Sequence, residues 1–267
     1  MHRTKLPLGQ WLRAIWLLVA SSKGISARKL GEMLGITYKV AWHLGHRIRS
    51  MMVEGALVLG RLGGVVELDE AYAGAPPRPQ NRTPGSPPPV SAAPTGRGTK
   101  RPLVLTMVER DRPAVMKRIE SHSTKAVEAA ARPHLGSLAT LSTDALPAYR
   151  RVASAGAHPH LTVNHSAGEF VAHDPQGATP PAHTNTAESL HNDLRRAVLG
   201  VWHWISEKHL DRYLQEITWR RNRKELPHLH RIAAGLASGA RPLPFDGLTG
   251  RLDMAWGSAS QADPINH

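Results

Sequence analysis

The chain has no cysteine among its 267 residues, which excludes disulfides and Cys-based zinc sites. It also lacks a long apolar run. The strongest near the start, AIWLLVA from Ala14 to Ala20, is too short to span a bilayer, and no small-residue cleavage site follows it. No membrane segment or signal peptide is therefore expected. Acids are scarce: 21 Asp and Glu stand against 34 Lys and Arg, a formal charge of +13 with His neutral. Such a surplus favours polyanionic partners, because each phosphate contact releases condensed counterions. It does not separate DNA from RNA or from an anionic membrane. The 16 histidines show no HExxH or similar metal spacing and read as a basic, mildly titratable surface. A soluble cytoplasmic protein with one sizeable core and a small accessory domain is the expectation.

Residues 1–60 carry nine Lys and Arg against two acids. From Leu8 to Ala20, Trp11, Ile15, Leu18 and Val19 recur at helical spacing. Ser26 can cap a short helix from Ala27 to Met33, which stops at Leu34–Gly35. Thr37 can cap a longer helix to about Met52. Two helices joined by a tight Gly-containing turn form the helix-turn-helix pattern, which places Thr37, Tyr38, Lys39 and Trp42 where base edges are read. A helical hairpin that only packs remains the alternative.

The pattern then changes. GGVVELDEAYAG reads as a strand ending in acids. Residues 73–101 are rich in Pro, Gly and Ser, with five basic residues and no acid, and predict a long basic loop over DNA. Strands are predicted over 101–109, 113–119, 138–144 and 158–165. Helices are predicted over 123–134, 185–199 and 206–223. That order implies an α/β mixed sheet with flanking helices over 61–224, with a poorly defined tail over 225–267.

Three acids occupy suggestive positions. Asp69 ends one predicted strand and Asp144 another, and ligands of open α/β sheets bind off strand ends. Glu188 lies in the first turn of a predicted helix, with Arg195 seven residues on and facing the same way. Phosphodiester chemistry uses such carboxylates to hold paired divalent ions. Each acid also has an ordinary reading. Asp69 is one of three acids in ELDE, Asp144 can initiate a turn before Pro147, and Glu188 fills the capping-box slot if Asn185 is the N-cap.

Several blocks together resemble one family: TKLPLGQWLRAIWLL, SKGISARKLGEMLGITYKVAWHLGHRIRSMM, VELDEAYAG, GRGTKRPLVLTMVER, LSTDALPAYR, TVNHSAGEF and HTNTAESLHNDLRRAVLGVWHWISEKHLDRYLQEITWRRNRK. The chain resembles insertion-sequence transposases of the IS-fifteen-ninety-five type, also called ISXO-two-like. The resemblance covers most of residues 4–224 and is most specific in its last block. It implies a ribonuclease-H-like core preceded by a helix-turn-helix region. It also implies metal-dependent cutting at transposon ends, with strand transfer into target DNA. The family's three acids fall on Asp69, Asp144 and Glu188, and its histidine on His165. His191 stands where many relatives carry an aromatic residue.

The readings implied are two Mg²⁺ or Mn²⁺ ions, double-stranded DNA at transposon ends and target, a homo-oligomer, and action in the cytoplasm at the nucleoid. Arg195 and Arg196 are expected to hold phosphates. The Cys-rich zinc ribbon that often precedes the TKLPL segment is not in this sequence, so weakened recognition of terminal repeats is an expectation. The alternatives are a catalytically inactive or domesticated DNA-binding protein, and a nuclease of the same fold without strand transfer.

Overall fold

The computed structural model describes residues 4–52, 60–74, 99, 101–111 and 113–237. Most of the Pro-rich loop and of the tail lies outside these residues.

Three helices open the chain. Helix α1 (Leu8–Ala20) follows Pro7 and buries Trp11, Ala14, Ile15, Leu18 and Val19, the stripe that its periodicity predicts. Ser26 caps α2 (Ala27–Leu34) by accepting from Lys29 N, and Gly35 ends it in the left-handed region at φ 64°. Thr37 caps α3 (Tyr38–Met51) by accepting from Val40 N. These helices share a core with Trp219, which comes from a helix much later in the chain.

Five strands follow: β1 (Val65–Tyr72), β2 (Leu103–Glu109), β3 (Ala114–Ile119), β4 (Thr140–Asp144) and β5 (His160–Val163). They form one sheet in the order β3-β2-β1-β4-β5. The β1–β2 and β2–β3 pairs are antiparallel, while β1–β4 and β4–β5 are parallel. This is the ribonuclease-H-like arrangement expected from the sequence.

Period-two alternation divides the sheet into two faces. Val66, Leu68, Leu105, Met107 and Leu141 pack under α4 (Thr124–Ala131) and α5 (Pro147–Ala155). Val104, Val108, Ala114 and Met116 pack under α6 (Asn185–Ala197) and α7 (Leu210–Asn222). A π-helical segment, Val198–Trp202, extends α6. The region expected to be an ill-defined tail begins with α8 (His228–Ala237). Among the described residues no helix is long and apolar enough to cross a membrane.

Candidate active site at the carboxylate end of the sheet

The three acids of ELDE have three separate fates. Alternation along β1 sends Glu67 and Asp69 to the α6 face and Glu70 to the opposite face. Glu67 is fully buried. It accepts hydrogen bonds from Thr186 N at 2.7 Å and Ala187 N at 3.1 Å, the amides at the start of α6. Arg110 Nε donates to it at 2.9 Å, and His183 Nδ1 stands 3.1 Å away. A carboxylate at a helix N-terminus satisfies free amides and complements the helix dipole. Glu67 therefore fastens α6 to β1. Sequence reasoning missed this role, because the partners lie 119 and 120 residues away.

Asp69 is paired with Thr106 across β1–β2. Its Oδ2 lies 3.4 Å from His191 Nδ1, and His191 Nε2 lies 2.9 Å from Thr106 Oγ1. His191, which stands where many relatives carry an aromatic residue, thus bridges α6 to both strands. The parallel register of β1 and β4 runs to Leu68↔Thr143. One residue further, Asp69 stands beside Asp144. Neighbouring strands lie about 5 Å apart, so the two carboxylates share one face and one end of the sheet. Asp144 also accepts from Leu146 N at 3.0 Å, the turn chemistry its sequence suggested.

Glu188 lies one turn before His191 on α6, on the same side of the helix. Thr184, not Asn185, is the N-cap, so the capping-box alternative does not form. Instead Thr184 Oγ1 donates to Glu188 Oε1 at 3.4 Å, and His165 Nδ1 stands 3.7 Å from the same oxygen. Glu188 is half-exposed. The structure thus ties Asp69 to His191, and Glu188 to His165 and Thr184, while the β1–β4 register carried one step on pairs Asp69 with Asp144. Among the described residues no three or more His, Asp or Glu side chains stand close enough together to hold a metal ion.

On the other face, Glu70 is buried with His122 Nδ1 at 3.6 Å and the Tyr149 hydroxyl beside it. Burial first, then the like charges of Asp144 and Asp69, push its carboxyl up to about 7, against the lowering contact with Tyr149. The Tyr149 phenol is pushed up as well, by burial and by the same three acids. This end of the sheet carries surplus negative charge. Hard carboxylate oxygens under such a potential fit a divalent cation such as Mg²⁺ or Mn²⁺.

Arg195 lines a cleft with His191, Tyr72 and Arg101, on the Glu188 side of α6. Arg196 points elsewhere and pairs with Asp193 at 2.8 Å. On α3, Thr37, Tyr38 and Lys39 are exposed. Trp42 is half-buried, its ring 4.3 Å from His46 and 5.2 Å from His209. It sits in an aromatic cluster that joins α3 to the start of α7.

Asp144 ends β4 as its sequence suggested. Asp69 instead lies inside β1, which runs on to Tyr72 through its pairing with β2, so the expectation that Asp69 ends its strand is corrected. The five-stranded order with this mix of parallel and antiparallel pairs is the ribonuclease-H-like class of fold. The sequence profile of the ISXO2-like transposase domain matches residues 61–222, and the chain belongs to that family. No curated protein matches the chain. Among solved structures, the Mos1 strand transfer complex overlaps with a TM-score of 0.33 at 11% identity, covering 91% of this chain and 82% of that one. A pre-cleavage Mos1 transpososome overlaps at 0.32 and 13%, covering 91% and 83%. A Mos1 mariner paired end complex with Mn overlaps at 0.31 and 13%, with the same coverage. At these scores the overlap is loose, and the family assignment rests on the sequence.

Proposed function

We propose that the protein is a DDE transposase that cuts DNA at transposon ends and joins the freed 3′ ends to target DNA, with Asp69, Asp144 and Glu188 holding two Mg²⁺ or Mn²⁺ ions. The observation that supports this reading is the parallel β1–β4 register, which runs to Leu68↔Thr143 immediately before Asp69 and Asp144, in a chain of a transposase family. Paired ions bound there would neutralise the attacking and leaving oxygens of an in-line displacement. The chain's own residues prepare the place. Glu67 fixes α6 over β1, and His191 holds the Asp69 carboxylate against Thr106. His165 and Thr184 orient Glu188. Arg195 offers a cation to a phosphate at the cleft.

In the same reading, residues 1–60 form the DNA-recognition region. The exposed start of α3, with Thr37, Tyr38 and Lys39, enters the major groove, while Trp42 braces that helix against α7. The protein works in the cytoplasm at the nucleoid, as a homo-oligomer that holds two ends at once. The test is cleavage of end DNA by the purified protein with Mn²⁺ or Mg²⁺. Asp69→Asn is expected to lower the rate about a thousandfold or more, since metal placement supplies several kcal/mol. Undiminished cutting by Asp69→Asn would sink the proposal. DNA binding without cutting by the parent protein would favour a non-catalytic DNA-binding protein. Cutting without joined products would favour a nuclease.

A further inference from the structure

A second groove opens where the α1–α2 turn meets α6 and α7, away from the carboxylate cleft. Lys23 of the α1–α2 turn, Arg196 of α6, Arg220 and Arg221 of α7, and Lys224 and Arg231 beyond α7 line it. Asp193 is the one acid among the described lining residues. Neighbouring residues on a helix point about 100° apart. Arg195 therefore faces the cleft that His191 lines, while Arg196 faces this groove. The two arginines of α6 serve different surfaces.

The groove is charged from within. Glu216 is fully buried and accepts hydrogen bonds from both Arg49 and Arg220, which are buried too. One carboxylate between two guanidiniums leaves a net positive charge inside the protein, and Arg220 lies at the groove. A buried surplus cation is costly unless an anion approaches it. Among the described residues, Lys23 and Arg221 have no carboxylate within ion-pair distance. The α1–α2 turn is also fixed in position. Gly24 has φ +89°, and a Cβ there would stand 2.9 Å from Glu216 Oε1, so the turn lies directly against α7.

We infer that this groove grips the sugar-phosphate backbone of a second stretch of DNA, distinct from the strand at the carboxylates; naming DNA as the polyanion rests on the function proposed above. The lining offers cations, and such contacts position a duplex without reading its sequence. The concave shape suits a nucleic-acid backbone better than a flat bilayer. Because the N-terminal region and the catalytic region each supply lining residues, DNA held here ties the two regions together.

The experiment uses the full chain carrying Asp69→Asn, so that no cleavage intervenes, and a fluorescent duplex of about 30 base pairs of arbitrary sequence. Binding is followed by anisotropy across a salt series. The triple substitution Lys23→Ala, Arg221→Ala, Lys224→Ala is expected to flatten the slope of log K against log salt by about 2 to 3, near 0.9 per lost phosphate contact. Affinity at low salt should fall about tenfold or more. The charge-keeping triple K23R, R221K, K224R should retain the parent slope. The inference is overturned if the alanine triple leaves the slope unchanged, or if the charge-keeping triple loses as much, which would assign the effect to packing. Failure of the parent to bind the duplex also overturns it. So does loss of binding only to vesicles containing roughly one third phosphatidylserine, with DNA binding intact. A fallen slope in a protein that never cuts DNA leaves the groove standing. An unchanged slope in an active enzyme leaves the transposase reading standing.

Discussion

At the seam between α3 and α7, Glu216 is enclosed by Arg49 and Arg220, and despite its burial those two arginines hold its carboxyl below the usual range. On the inner face of β1, Glu70 is enclosed by His122 and Tyr149, and burial beside Asp144 and Asp69 pushes it up to about 7. A histidine in the seam responds to the same cations. Burial, reinforced by Arg49, pushes His46 in the seam down to about 2. The side-chain types are ordinary in both places. What differs is the sign of the surplus charge around them. The seam gathers cations, so its acid stays ionised and its histidine neutral. The end of the sheet gathers acids, so Glu70 keeps its proton. The two ends of the molecule therefore differ in the sign of the charge they hold in surplus.

Removing the seam's carboxylate should have the largest effect on stability. Glu216→Ala leaves two buried guanidiniums without a counter-charge, and breaking a buried pair in this way costs about 3–5 kcal/mol. Urea unfolding measures it, and a loss below about 1 kcal/mol would mean that water or another acid satisfies both arginines. At the opposite pole, Glu67→Gln should cost about 2–3 kcal/mol by weakening charge-assisted bonds to Thr186 N, Ala187 N and Arg110. Its specific mark is hydrogen exchange. The amides of Thr186 and Ala187 should exchange faster while those of β2 stay protected. Unaltered protection at the start of α6 would show that Glu67 does not fasten that helix.

Much of this arrangement is legible in the sequence, and the gaps have physical causes. The stripe of α1, the caps Ser26 and Thr37, and the apolar strands follow from local rules, so the helical region and sheet can be read directly. Helix α5 cannot be read as easily, because Asp144 and Pro147 also spell a turn. Yet Pro at the first helical position is itself a start signal, and Ala148, Tyr149, Val152 and Ala153 mark its buried side. Asp69, Asp144 and Glu188 gain their interest from the family blocks, since nothing local separates them from surface acids. The division of ELDE is half legible. Period two already assigns Glu67 and Asp69 to one face and Glu70 to the other. That the Glu67 face would meet a helix start some 120 residues on depends on chain-level packing. His191 illustrates the same limit. Its position on α6 is predictable, but its contact with Asp69 appears only once the helix crosses β1.

The smallest expected effect is also the sharpest test of the contrast between the poles. Glu70 binds its proton more tightly in the folded chain, at about 7, than an ordinary glutamate does. A raised folded value means that its contribution to stability is fully present below the unfolded pKa and is lost as pH rises through the folded one. Between those limits the parent should weaken, by at most about 3 kcal/mol from this site. Glu70→Gln mimics the protonated form and cannot ionise. Without divalent metal, its guanidinium midpoint should match the parent's near pH 5 and exceed it near pH 8, by about 1–3 kcal/mol. Taking the variant against the parent at each pH cancels the titration of all other groups. Equal destabilisation at both pH values would mean that Glu70 is ionised in the folded state throughout. The acid pole would then owe its balance to a cation within the protein, and the contrast with the seam would collapse.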